Sequence, residues 1–145
     1  KYEYLPDPLQ DRVNTDVNPP PQLPLPTKVL FPNNDNIPNW KELRYFLQKE
    51  GKVAKDDLKK IIDSFIAIIK KEPNVVKIDD PVTLVGDIHG QYYDLLKILD
   101  VGGNPEQTKY CFLGDFVDRG SFSSEVYILL MAMKINFSER FTLLR

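Results

Sequence analysis

Residues 81–120 read PVTLVGDIHGQYYDLLKILDVGGNPEQTKYCFLGDFVDRG, and the fold is decided by how this stretch alternates. PVTLV (81–85) is short and apolar apart from one Thr, the pattern of a strand buried on both faces. QYYDLLKILD (91–100) has apolar residues at helical spacing over about three turns, and Gly102-Gly103 supplies its stop. KYCFL (109–113) repeats the strand pattern. Beyond it, SSEVYILLMAMK (123–134) reads as a helix and RFTLL (140–144) as a third strand. Strand, helix, strand, helix, strand at this spacing predicts parallel strands joined by crossovers, hence an α/β fold.

The first two strands are followed by the same dipeptide. Gly86-Asp87-Ile88-His89-Gly90 leaves the first, and Gly114-Asp115-Phe116-Val117-Asp118-Arg119-Gly120 leaves the second. In an open α/β sheet both loops emerge at the carboxyl edge, where such folds bind ligands. If the strands are adjacent, Asp87 and Asp115 lie about 4.8 Å apart, one strand spacing. His89, the only histidine in the chain, stands two residues after Asp87. Crowded carboxylates repel, so one takes up a proton or a cation binds between them. Imidazole among the donors favours a transition metal over calcium or magnesium. The glycines before each Asp and after His89 allow sharp turns and close approach of a ligand. Arg119 offers a planar fork suited to phosphate or carboxylate, and Asp118 suits the steering of a neighbouring histidine. Metal plus an arginine clamp points to metal-assisted hydrolysis of a phosphate ester. Singly, each residue also fits a plainer role: His89 a cap or solvent-facing loop residue, Asp115 an N-cap, Asp118-Arg119 a surface ion pair. Those roles explain poorly why both motifs stand at corresponding strand ends.

Upstream, NWKELRYFLQKEG (39–51) predicts a helix capped by Asn39, with Trp40, Leu43 and Leu47 on one face and Gly51 as its stop. A longer helix is expected from Asp56 to Glu72. Its stripe of Leu58, Ile61, Ile62, Phe65 and Ile69, widened by Ile66 and Ile68, is expected to pack on the sheet. Nine of the twelve prolines lie in the first 38 residues, and NPPPQLPLP (18–26) predicts an extended segment. The chain therefore divides into a proline-rich arm (1–38), anchored by Leu23, Leu25 and Val29, and an α/β unit (39–145).

Composition narrows the classes. An apolar fraction of 42% and a charged fraction of 28% are those of a globular domain. With 19 basic and 21 acidic residues, net charge −2, there is no concentrated basic face for nucleic acid. No apolar run approaches membrane-spanning length, and the polar start lacks a signal-peptide pattern. Cys111 is the only cysteine and falls in a strand, so no internal disulfide forms. A reducing, cytoplasmic setting is expected.

GDIHG (86–90) and GDFVDRG (114–120) resemble, in order, the first two motifs of the metal-dependent serine/threonine phosphoprotein phosphatases. The resemblance spans roughly residues 80–145. VGGNPEQTKYCFLGDFVDRGSFSSEV, IDDPV, PNW with LRYFLQKEG, and DRV near the start extend it towards the calcineurin branch. Phe116 and Ser121 stand where that branch often has tyrosines, and GDFVDRGSFS is also similar to the tetratricopeptide-bearing phosphatase of the family. The resemblance implies the N-terminal portion of a calcineurin-like metallophosphoesterase fold: a βαβαβ unit preceded by two helices and the arm. It implies that Asp87 and His89 hold one metal and that Asp115 bridges to a second, the pair being iron and zinc with manganese able to substitute. It implies that Arg119 binds the substrate phosphate and Asp118 orients a general-acid histidine. Metal-bound hydroxide would then hydrolyse phosphoserine or phosphothreonine. The branch further implies phosphoprotein substrates, an EF-hand regulatory B subunit, and calmodulin acting through segments beyond residue 145. The family's third motif, Gly-Asn-His-Glu, is expected after Arg145, so these residues hold only part of an active site.

Overall fold

Tyr110–Phe112 (β2) forms the middle of a parallel sheet, between Thr83–Val85 (β1) and Phe141–Leu143 (β3). Leu84 lies opposite Cys111, and Cys111 opposite Thr142. The computed structural model describes residues 19–144. Its helices are α1 (Thr27–Leu30), α2 (Trp40–Gln48), α3 (Lys55–Ile69), α4 (Tyr92–Val101) and α5 (Ser123–Asn136). The order β1-α4-β2-α5-β3 is the α/β alternation read from residues 81–144.

α5 is the hub. Positions 129 to 134 are all buried, so this part of the helix is enclosed round its whole circumference. It contacts β3 and α4, and α2 and α3 lie against it as well. The apolar stripe of α3, expected on the sheet, packs on α5 instead through Ile61 and Phe65. The reason is that α5 has apolar residues on every side and needs a second cover beyond the strands. Phe65 meets Tyr127 of α5 edge to face, with ring centroids 6.1 Å apart. Ile62 and Ile69 of the same stripe remain partly exposed.

β1 was expected to be buried on both faces, but only Val85 is enclosed and Leu84 is 64% exposed. No helix among the described residues covers that side of β1. On the other side Tyr110, Phe112 and Phe141 stack at centroid distances of 5.1 to 6.0 Å and carry the core of the sheet.

Local details at the chain's start follow the sequence in part. Asn39 caps α2 by accepting the Glu42 amide at 3.3 Å. The left-handed residue that ends α2 is Glu50 (φ 60), not Gly51. Gly51 is needed because a Cβ there would sit 2.3 Å from the Phe46 ring. In the proline-rich stretch, residues 19–26 lack helix or strand, and Leu25 is buried with its amide on the Lys52 carbonyl at 3.1 Å. Leu23 is exposed and anchors nothing, whereas Thr27–Leu30 forms one helical turn against α2. Residues 1–18, including DRV, lie outside the described residues.

Lys134 of α5 is buried. Its Nζ donates to the Glu72 carboxylate and to the Ser138 and Phe141 carbonyls, the last two at 2.8 and 2.7 Å. All three ammonium donors are used, which ties the end of α3 and the start of β3 to α5. No described helix is long and apolar enough to cross a membrane.

Candidate metal centre

The loops after β1 and β2 are bonded to each other before any side chain is considered. The Asp115 carbonyl accepts the amides of Ile88 and His89 at 3.0 and 2.9 Å, and the Phe116 carbonyl accepts that of Gly90 at 2.9 Å. In return the His89 carbonyl accepts the Gly120 amide at 2.8 Å, and the Gly90 carbonyl accepts that of Phe122 at 3.1 Å. This backbone lattice needs glycine at two points. Gly90 has φ 71, and a Cβ on Gly120 would lie 2.3 Å from the His89 carbonyl oxygen. Gly86 is different, since a Cβ there meets nothing within 4 Å. Its φ also lies outside the left-handed range, so neither sterics nor φ demands glycine there.

Held this way, Asp87, His89 and Asp115 converge, with one ligand atom from each lying within 4.8 Å of the others. His89 Nε2 is 3.6 Å from Asp87 Oδ2 and 3.9 Å from Asp115 Oδ2. His89 Nδ1 lies 3.1 Å from the Val117 carbonyl oxygen. A carbonyl only accepts, so Nδ1 carries a proton there, which leaves Nε2 as the ring nitrogen turned towards the two carboxylates. Three electron-rich groups facing one point suit a cation, and the mixed imidazole and carboxylate set suits a transition metal. The carboxylates are open to solvent, 63% and 70% exposed, while the imidazole is 24% exposed. The donor set is therefore anchored on one side and accessible on the other.

Asp118 and Arg119 follow on the same loop, and both are exposed. Both have left-handed backbone, at φ 68 and 61, and the Asp118 amide donates to Ser123 Oγ at 3.1 Å. Sequence reasoning missed the two supports of the site, the Val117 carbonyl and the Ser123 hydroxyl. A backbone carbonyl has no sequence signature, and Ser123 reads only as a helix start. Cys111 is buried in β2, and burial pushes its thiol up, away from the reactive thiolate.

Sheet, strand-end loops and donor set together make an α/β domain with a candidate metal centre at the carboxyl edge of its strands. Residues 80–145 match the profile of the calcineurin-like phosphoesterases. The chain is 45% identical over 123 residues to the serine/threonine-protein phosphatase 2B catalytic subunit A2 of Saccharomyces cerevisiae, covering 85% of this chain and 20% of that protein. With catalytic subunit A1 of the same yeast it is 46% identical over 116 residues, 80% of this chain and 21% of that one. A solved serine/threonine phosphatase from the same yeast, described as similar to human phosphatase PP5, superposes with a TM-score of 0.60 at 33% identity. That match covers 67% of this chain and 33% of the other. Residues 80–145 are thus similar to the calcineurin-like phosphoesterases, and the chain is similar over most of its length to the phosphatase 2B catalytic subunits. It spans about a fifth of the length of those curated relatives.

Proposed function

We propose that this chain forms part of a metal-dependent serine/threonine protein phosphatase of the calcineurin type. The observation that carries the reading is the convergence of Asp87, His89 and Asp115, with the imidazole oriented by the Val117 carbonyl. Asp87 and His89 would hold one metal ion, and Asp115 would be a ligand of the same centre. Iron and zinc are the proposed pair, with manganese able to replace them. Bound there, the ions supply a Lewis acid for the phosphoryl oxygens and acidify a water molecule.

The protein's own contribution is positioning. The cross-loop lattice fixes the carboxylates and the imidazole before substrate arrives, so no ordering is required at the moment of reaction. Arg119 binds the phosphate of phosphoserine or phosphothreonine through its guanidinium fork. Asp118 orients a histidine acting as general acid, contributed from outside these residues, since His89 is the only histidine here. The similarity to phosphatase 2B catalytic subunits, at 45% identity against 33% for the solved PP5-like enzyme, supports the calcineurin branch. That branch brings phosphoprotein substrates in the cytoplasm, an EF-hand regulatory B subunit and activation by calmodulin.

Asp87→Asn and His89→Gln in the intact protein test the reading. Each is expected to lower bound metal and abolish release of phosphate from a phosphoserine peptide. Near-normal turnover in either variant would sink it.

A further inference from the structure

We infer that Ser123 is a positioning residue for Arg119, acting on the turn that presents the guanidinium. This rests on the reading of Arg119 as the phosphate-binding residue. Ser123 is the first residue of α5, and the N-cap before it, Phe122, has no side-chain acceptor to cap the helix. The Ser123 Oγ accepts the Asp118 amide at 3.1 Å, a bond that leaves the helix for the loop after β2. The residues it holds are unusual. Asp118 and Arg119 are consecutive non-glycine residues at φ 68 and 61, and the Gly120 amide closes back on the Asp118 carbonyl at 2.7 Å. That bond makes a three-residue turn centred on Arg119 with left-handed backbone, a rare and strained form.

Ser123 also touches the other loop. A Cβ on Gly90 would lie 2.7 Å from Ser123 Oγ, so the hydroxyl sits directly against the Gly90 backbone. The Phe122 amide, one residue earlier, is bonded to the Gly90 carbonyl at 3.1 Å. The start of α5 is thus pinned to the His89 loop, and from there Ser123 reaches back to fix the Asp118-Arg119 turn. The hydroxyl transmits the position of the metal-bearing loop to the arginine without touching metal or phosphate itself. Its neighbour Ser124 is exposed and lacks this arrangement.

The test compares Ser123→Ala, Arg119→Ala, the double variant and Ser124→Ala in the manganese-loaded intact protein. Equilibrium binding of inorganic phosphate is measured by calorimetry, alongside metal content and KM and kcat for a phosphopeptide. Losing the amide acceptor is expected to weaken phosphate binding about five-fold, the factor typical of one net hydrogen bond. KM should rise with it while metal content stays unchanged and Ser124→Ala behaves as wild type. In the Arg119→Ala background, Ser123→Ala should have no further effect, because the two act as one unit. The inference is overturned if Ser123→Ala leaves phosphate affinity unchanged while Arg119→Ala weakens it, or if the Ser123 effect persists in full without Arg119. If Arg119→Ala itself leaves phosphate binding intact, the reading of Arg119 falls first and takes the inference with it. Ser123→Thr keeps the hydroxyl and should restore binding, which separates the missing acceptor from a general loss of packing.

Discussion

Gly120→Ala should dismantle the metal centre from a position that holds no metal. The added Cβ would lie 2.3 Å from the His89 carbonyl oxygen, 2.7 Å from the Gly90 carbonyl carbon and 2.8 Å from its oxygen. All three are backbone atoms, so no side chain can swing aside. Restoring ordinary contact requires the loops to separate by about 1 Å, given that carbon and oxygen normally approach to about 3.3 Å. That movement stretches the Gly120 to His89 bond of 2.8 Å beyond hydrogen-bond length, and the bonds Gly90 to Phe116 and Phe122 to Gly90 share the same loops. At about 1 kcal/mol net for each of these bonds, the substitution should cost about 3 kcal/mol. It also displaces His89 relative to Asp115, so manganese affinity should fall with stability. Gly86→Ala is the matched control, because its Cβ meets nothing within 4 Å. Its stability should stay within about 0.5 kcal/mol of wild type. Urea denaturation and manganese calorimetry on both variants decide the matter. Wild-type metal affinity in Gly120→Ala, or equal damage in Gly86→Ala, would refute the reasoning.

Lys134→Met should cost about 3 kcal/mol, since it leaves the Glu72 carboxylate and two carbonyls without their shared donor. A urea midpoint unchanged from wild type would show that the lysine is dispensable. Tyr92 is buried and donates to the Arg44 carbonyl at 2.9 Å, and burial raises its phenol well above the usual range. Its folded value exceeds the unfolded value of about 10, so its contribution is complete below about pH 10 and is lost as pH rises through the folded value. Tyr92→Phe should lose about 1 kcal/mol at neutral pH and show a shallower alkaline decline in denaturation midpoints. An identical decline would remove Tyr92 from that account.

The parallel βαβαβ core was legible because short apolar runs alternate with segments of helical period from residue 81 onward, and a parallel crossover leaves few alternatives. The convergence of Asp87, His89 and Asp115 was legible for the same reason: equivalent loops after adjacent parallel strands must emerge at one edge. What an apolar stripe packs against was not legible. The α3 residues show that a face is buried without naming the partner, and α5 has apolar residues all round to receive it. Lys134 was invisible because nothing in MAMKIN separates a buried lysine from a solvated one. Its burial depends on carbonyls of Ser138 and Phe141 that face α5 only once β3 has formed.

The backbone at the site shows why so specific a sequence is needed there. Six described non-glycine residues have positive φ, and four of them are His89, Asp115, Asp118 and Arg119. The other two, Asn34 and Glu50, lie at turns beyond helix ends, where asparagine or glycine is the usual solution. At each of the four, glycine would adopt the conformation without the penalty of about 1 to 3 kcal/mol that a side chain brings. Glycine does appear beside them, at Gly90 and Gly114, with φ 71 and 120. The chain thus carries donors and charges at the positions where glycine would be easiest, and places glycine where a side chain has nothing to do. Strain alone would let these loops relax. The reciprocal bonds between the His89 and Asp115 segments, with Gly120 packed backbone to backbone against Gly90, prevent it. Each loop is held in its unfavourable shape by the other, so the donor set exists only when both strands are in register.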